Sequence, residues 1–136
     1  MKRTAIIVEK KLSPGEAANV SAILMGQTSI SQKEIFDNSQ LIDLSGNQHA
    51  AIKYSSVILK AGSGQLLNLP SLIKKNYPTI RCFIFSRTGQ RLNNEFEQYR
   101  VLITQSETEK LEPVGIALVG DDSLVRKATK KFSILQ

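Results

Sequence analysis

The chain has 136 residues, 41% of them apolar and 22% charged, and its 18 Lys and Arg against 12 Asp and Glu leave a formal net charge of +6. That length suits one domain over residues 1–136 with a single core, the mean hydropathy of -0.14 argues against intrinsic disorder, and no apolar run approaches the ~20 residues of a spanning helix. Lys2 and Arg3 precede too few apolar residues for a signal peptide, so the expectation is a cytoplasmic protein with no membrane partner.

A pI near 9.6 raises the local concentration of anionic partners. Lys2, Arg3, Lys10 and Lys11 stand early and Arg126, Lys127, Lys130 and Lys131 late. If the chain ends meet, these make one basic face for RNA or another polyanion; plain solvated charge is the competing reading. The single cysteine, Cys82, sits in an apolar run and reads as a structural thiol, with no intrachain disulfide or thiolate cluster.

Residues 4–8, TAIIV, read as a strand covered on both faces. Ser13 is placed to cap a helix, with Pro14 in its first turn and Glu16 completing a capping box. The helix is expected to run through Ala17, Val20 and Leu24 to Gly26, a natural C-terminal stop. Residues 27–38 are polar and weakly patterned, a loop with a short strand or turn. Residues 40–44 and 48–52 flank Ser45-Gly46-Asn47 and read as a hairpin, followed by a strand over 56–60.

Gly62-Ser63-Gly64 reads as a linker. Leu66, Leu69, Leu72 and Ile73 then repeat with helical spacing, and Pro70 requires that helix to start near it or to kink. Residues 80–85 make an apolar, central strand, 86–90 a loop, and 91–104 a helix carried by Leu92, Phe96, Tyr99 and Ile103. Residues 114–119 form another buried strand, Asp121-Asp122-Ser123 opens a last helix, and 132–135 closes as a strand. The alternation predicts an α/β fold: a three-layer α/β/α sandwich around a mixed, mostly parallel sheet, with the mixing required by the hairpin.

In such sheets ligands bind beyond the carboxyl ends of the strands. There the sequence gathers residues 9–13 and 86–90. The hydroxyls of Ser13, Ser86 and Thr88, the amides of Asn19 and Gln90, and the free N–H groups of the first helix suit an anionic or carbonyl ligand. The bland alternatives are that Ser13 is only a cap and Asn19 only faces its own loop. His49, the sole histidine, is a candidate catalytic residue if the hairpin brings Asp43 against its ring. One imidazole without converging carboxylates makes no metal site, and no phosphate loop, dinucleotide glycine pattern or lipase elbow implies a cofactor.

Three segments carry a family resemblance: Asp43-Leu44-Ser45-Gly46-Asn47-Gln48-His49-Ala50-Ala51-Ile52, Val57-Ile58-Leu59-Lys60-Ala61, and Val114-Gly115-Ile116-Ala117-Leu118-Val119-Gly120. Together they resemble the bacterial family catalogued as domain of unknown function 2000, over nearly the whole chain. That family is similar in fold to the type-two peptidyl-tRNA hydrolase of archaea and eukaryotes. Pro14-Gly15-Glu16-Ala17-Ala18-Asn19 stands where the hydrolase has a glycine- and lysine-rich turn and an alanine-rich helix, and Ile58-Leu59-Lys60 resembles its VLK strand.

The hydrolase loop of aspartate, alanine, glycine, a basic residue and threonine is replaced here by Phe85-Ser86-Arg87-Thr88-Gly89. Thr88 is thereby a second candidate catalytic residue, while the aspartate has no acidic counterpart and Glu16 replaces the turn lysine. The resemblance implies a divergent relative that binds a small anionic ligand or an RNA end around Asn19, Ser86 and Thr88. It leaves open a working hydrolase, in which Thr88 and Lys10 or Lys11 position water while Lys10, Lys11 and Arg87 hold tRNA phosphates. A structural homodimer is the third reading.

Overall fold

The computed structural model describes residues 1–92 and 94–136. Its elements in chain order are β1 (Lys2–Glu9), α1 (Pro14–Ser31), a 3-10 turn (Lys33–Ile35), β2 (Leu41–Ile42), β3 (Gln48–His49), β4 (Ser56–Ala61) and α2 (Ser63–Asn76). There follow β5 (Arg81–Ser86), α3 (Arg87–Arg91), α4 (Phe96–Thr104), α5 (Thr108–Leu111), β6 (Pro113–Asp121), α6 (Asp122–Ala128) and β7 (Ser133–Ile134).

Five strands form the main sheet in the order β5-β6-β1-β4-β7. β1 is apolar on both faces, every residue from Thr4 to Glu9 is buried, and it occupies the centre. Side chains alternate across it. On one face Ile6 and Val8 pack with Ala17, Val20 and Leu24 of α1 and with Val114 and Ala117 of β6. On the other, Ala5, Ile7, Ile116 and Leu118 pack with Leu66, Leu69 and Ile73 of α2 and with Val125 and Ala128 of α6. The expected α/β/α layering is therefore present.

The expected strand directions are not. Only β1 and β4 pair in parallel; β1–β6, β5–β6 and β4–β7 are antiparallel, so the sheet is mixed but mostly antiparallel. A parallel return after β5 needs a connection that crosses a sheet face and packs on it. The segment between β5 and β6 carries three helices, none with a buried residue, so the chain re-enters the sheet at the edge where it left. Nor is the hairpin the source of the mixing, because β2 and β3 form a separate two-stranded sheet.

Local expectations also change, and the strand expected to be central over 80–85 is β5, at the edge of the sheet beside β6. The capping box at Ser13 and Glu16 is formed, but α1 passes Gly26 and ends at Ser31. Leu24 and Thr28 are buried one turn apart, and that burial carries the helix over an exposed glycine. Gly62-Ser63-Gly64 is no linker: α2 starts at Ser63, and the Gly62 N–H donates to Gln65 Oε1 at 3.0 Å. Pro70 lies within α2, buried with Leu66, Leu69 and Ile73 against the sheet. Residues 86–90 are not a loop, since Ser86 caps α3, and the helix expected over 91–104 is confined to α4. Asn93, in that expected helix, lies outside the described residues.

Candidate functional site

β1 and β5 are both antiparallel to β6, and β4 is parallel to β1, so these three strands end at one edge. Glu9, Ala61 and Ser86 meet there with Pro113, the start of β6. The Lys10 N–H donates to the Ala61 carbonyl at 2.9 Å, tying the β1 exit to the β4 exit. α1, α2 and α3 all start from this edge, and grooves open between them.

The groove between α1 and α3, about 380 Å³, is lined by Gly15, Glu16, Asn19, Ile23, Phe85, Gly89 and Gln90. Asn19 and Gln90, distant in sequence, thus share one cleft as the reading of the strand ends implied. Asn19 is exposed and Gln90 half-buried, so both side-chain amides are open to water or a ligand. Gly89 shapes the wall: a Cβ there would stand 2.5 Å from Phe85 Cε1 and 3.1 Å from Tyr99 Cε1.

The candidate hydroxyls are engaged elsewhere. Ser13 Oγ accepts from the Glu16 N–H at 3.3 Å, while Glu16 Oε1 accepts from the Ser13 N–H at 3.2 Å. Ser86, 2% exposed, accepts from the Gly89 N–H at 3.4 Å and caps α3. Thr88 Oγ1 donates to the Leu111 carbonyl at 3.3 Å, toward the chain entering β6.

A second groove of about 400 Å³ opens at the start of α2 and receives Lys11 and Arg87. Arg87 Nε lies 3.7 Å from Glu112 Oε2, and Glu9 and Glu109 line the same groove, so its positive charge is offset. Glu9 belongs to the stretch that the sequence places at this edge, where it is given no role of its own. It is 7% exposed, and its Oε2 accepts from the Lys11 N–H at 3.1 Å. The available signal was an acid closing an otherwise apolar strand at the carboxyl end, where a buried carboxylate needs a partner. A third groove, on the other side of α1, receives Lys10 and Lys11.

His49 stands apart from these grooves, on the exposed β2–β3 hairpin. Its Nε2 lies 2.7 Å from Asp43 Oδ2, the pairing that the hairpin register was expected to allow. Asp43 Oδ1 also accepts from the N–H groups of Ser45 and Asn47, at 2.9 and 3.0 Å. The His49 bond first, then the Asn47 N–H, holds the Asp43 carboxyl below its ordinary 3.8. Among the described residues no group of three or more His, Cys, Asp and Glu side chains is placed to hold a metal ion.

Early and late basic residues meet only in part: Arg3 and Arg126 share Asp122, whereas Lys10 and Lys11 lie at the far end of β1. Lys2 and Arg3 begin the eight-residue β1 and Lys10 and Lys11 follow it, which separates them by roughly 25 Å. Lys2 pairs with Glu34 at 3.7 Å, Arg3 with Asp122 at 3.9 Å, and Arg126 with Asp122 at 2.9 Å.

Layering and strand order define an α/β protein with a mixed, mostly antiparallel sheet and grooves at the carboxyl edge of β1, β4 and β5. More particularly, the chain belongs to the family "Protein of unknown function (DUF2000)", whose model matches residues 2–136. It is similar to the solved structure of a protein of unknown function from Agrobacterium tumefaciens, with a TM-score of 0.83 at 19% identity, covering 98% of this chain and 96% of that one. At that identity the likeness shows the fold. No curated protein matches the chain. No helix among the described residues is long and apolar enough to cross a membrane.

Proposed function

We propose that this protein binds a small polar ligand in the cleft between α1 and α3, as a divergent relative of the type-two peptidyl-tRNA hydrolase fold. The observation that carries this reading is the convergence of the Asn19 and Gln90 amides, far apart in sequence, on one groove. Two primary amides offer both donors and acceptors, which suits a carbonyl, carboxylate or amide group. The start of α1 favours negative charge, but the Glu16 carboxylate already lines the cleft and no Lys or Arg does, which favours a neutral carbonyl or amide over an anion.

The hydrolase alternative needs the Thr88 hydroxyl on a substrate or water, and that hydroxyl is committed to Leu111. Release of an N-blocked amino acid from charged tRNA is therefore not expected. Turnover that disappears in Thr88→Ala would overturn this reading, as would tRNA binding with steep salt dependence that disappears with Asn19→Leu. A direct test is a thermal-shift screen of small carboxylates and amides, followed by calorimetry on each hit. A ligand at a hundred times its Kd stabilises the native chain by about 2.7 kcal/mol. The double variant Asn19→Leu/Gln90→Leu is expected to fold and to lose the shift; a hit that survives it lies elsewhere and refutes the cleft.

Self-association is a second reading, favoured by the apolar surface of the hairpin and of α4. Leu41, Ile42, Leu44, Phe96 and Leu102 are all exposed. Sedimentation equilibrium showing only monomer at high concentration removes it.

A further inference from the structure

α1 packs on β1, β5 and β6 and leaves the same face of β4 open. Ile58, in register with the buried Ile6, is 37% exposed, and Lys60, in register with Val8, shares that face. Between this open strip and α1 lies a groove of about 610 Å³. Its walls are Ala17 and Ala18 on one side and Leu135 on the other. Lys10, Lys11 and Lys60 line it together with Gln136, the last residue of the sequence, and no Asp or Glu side chain does. Among the described residues none of these lysines makes an ion pair.

An apolar floor with three lysines in its lining and no acidic side chain carries positive charge without an acidic counterpart. A bound anion gains from that field. The small side chains of α1 leave width for a hydrocarbon body, and the volume lies in the range of small-molecule sites. From this we infer that the groove between α1 and β4 binds a soluble amphipathic anion, a carboxylate head on a single medium-length alkyl or aryl body. The head lies among Lys10, Lys11 and Lys60 and the body on Ile58, Ala18 and Leu135. This site is on the opposite flank of α1 from the Asn19 and Gln90 cleft and does not depend on it.

Dodecanoate is the probe, titrated calorimetrically into the full chain below its micellar range, with dodecylammonium and dodecanol as controls. One saturable site is expected for dodecanoate, weakening about fourfold for each methylene removed. Lys10→Gln and Lys60→Gln are each expected to weaken it about tenfold. Ala18→Trp, at an exposed helix position, fills the groove and is expected to abolish binding with an unchanged circular dichroism spectrum. Absence of a saturable site overturns the inference, as does equal binding of dodecylammonium, or indifference to both lysine variants. Asn19→Leu/Gln90→Leu is expected to leave dodecanoate binding intact; its loss there moves the probe to the other cleft and refutes this site. Binding to anionic phospholipid vesicles but not to free dodecanoate refutes it in favour of a membrane surface.

Discussion

Replacing Gly115 by alanine tests how α1 is seated on the sheet. A Cβ at position 115 would lie 2.5 Å from Val20 Cγ1 and 2.9 Å from Leu24 Cδ1. Val20 is 0% and Leu24 2% exposed, so neither has open space to retreat into, and the helix or β6 has to shift. Overpacking of this kind costs about 1–3 kcal/mol. For a chain of 136 residues that is a fall in Tm of roughly 4–12 °C, at roughly 4 °C per kcal/mol. Urea unfolding is the assay, with a lower midpoint and an unchanged m-value as the expected result. Gly26→Ala is the contrast: a Cβ there meets nothing within 4 Å, and helix propensity predicts a gain of about 0.5–1 kcal/mol. Adding Val20→Ala is expected to cost less in the Gly115→Ala background than in the native chain. If Gly115→Ala is as stable as the native protein, the close approach of α1 to β6 is wrong, and with it the position given to Asn19.

Three further outcomes are expected. His49→Ala raises the Asp43 pKa toward 3.8 in a carboxylate NMR titration, because the His49 bond is the largest cause of its depression. A folded pKa below the unfolded one means the group stabilises the fold above the unfolded value and loses that contribution as pH falls through the folded value. The variant therefore has a shallower acid limb, and an unmoved Asp43 titration refutes the pairing. Ser13→Ala removes the cap of α1 and costs about 1 kcal/mol by urea denaturation, whereas Ser29→Ala, whose hydroxyl donates only to Gly26 O inside the same helix, is expected to be neutral or slightly stabilising. Burial pushes the Cys82 thiol up to about 11 against the opposing pull of Lys74, so at pH 8 roughly one part in a thousand is thiolate. Iodoacetamide modification is expected to be slow at pH 8 and to accelerate up to that value; reaction at the rate of a free thiol at pH 8 contradicts the burial.

Much of the edge was legible because its signals are local. Ser13, Pro14 and Glu16 announce a helix start within four residues, and the structure forms that box with the expected bonds. Asp43 and His49 lie within reach across a short turn, so their pairing follows from hairpin geometry. The meeting of Asn19 with Gln90 followed from a rule about strand ends, which needs only that β1 and β5 run the same way. What escaped was set by partners far along the chain. Gly26 reads as a stop until Leu24 and Thr28 are seen buried on the same side of α1. Gly62 reads as a break until Gln65 is seen folding back to its N–H. Glu9 reads as the first polar residue of a loop until β4 and β6 close over it and leave it 7% exposed.

Chain order and periodicity by themselves determined an α/β protein, an apolar first strand covered on both faces, and helices beginning near Ser13 and Asp122. Those properties belong to segments, in which apolar spacing and capping groups act over a few residues. The tertiary structure decided the direction of β6, the detachment of the β2–β3 hairpin, and which basic residues end up unpaired beside an apolar surface. Each of those depends on whether a connecting segment finds a sheet face to bury itself against. The helices α3, α4 and α5 do not, and β6 returns antiparallel beside β5. α1 covers β1, β5 and β6 but stops short of β4, and Ile58 and Lys60 are left facing the groove.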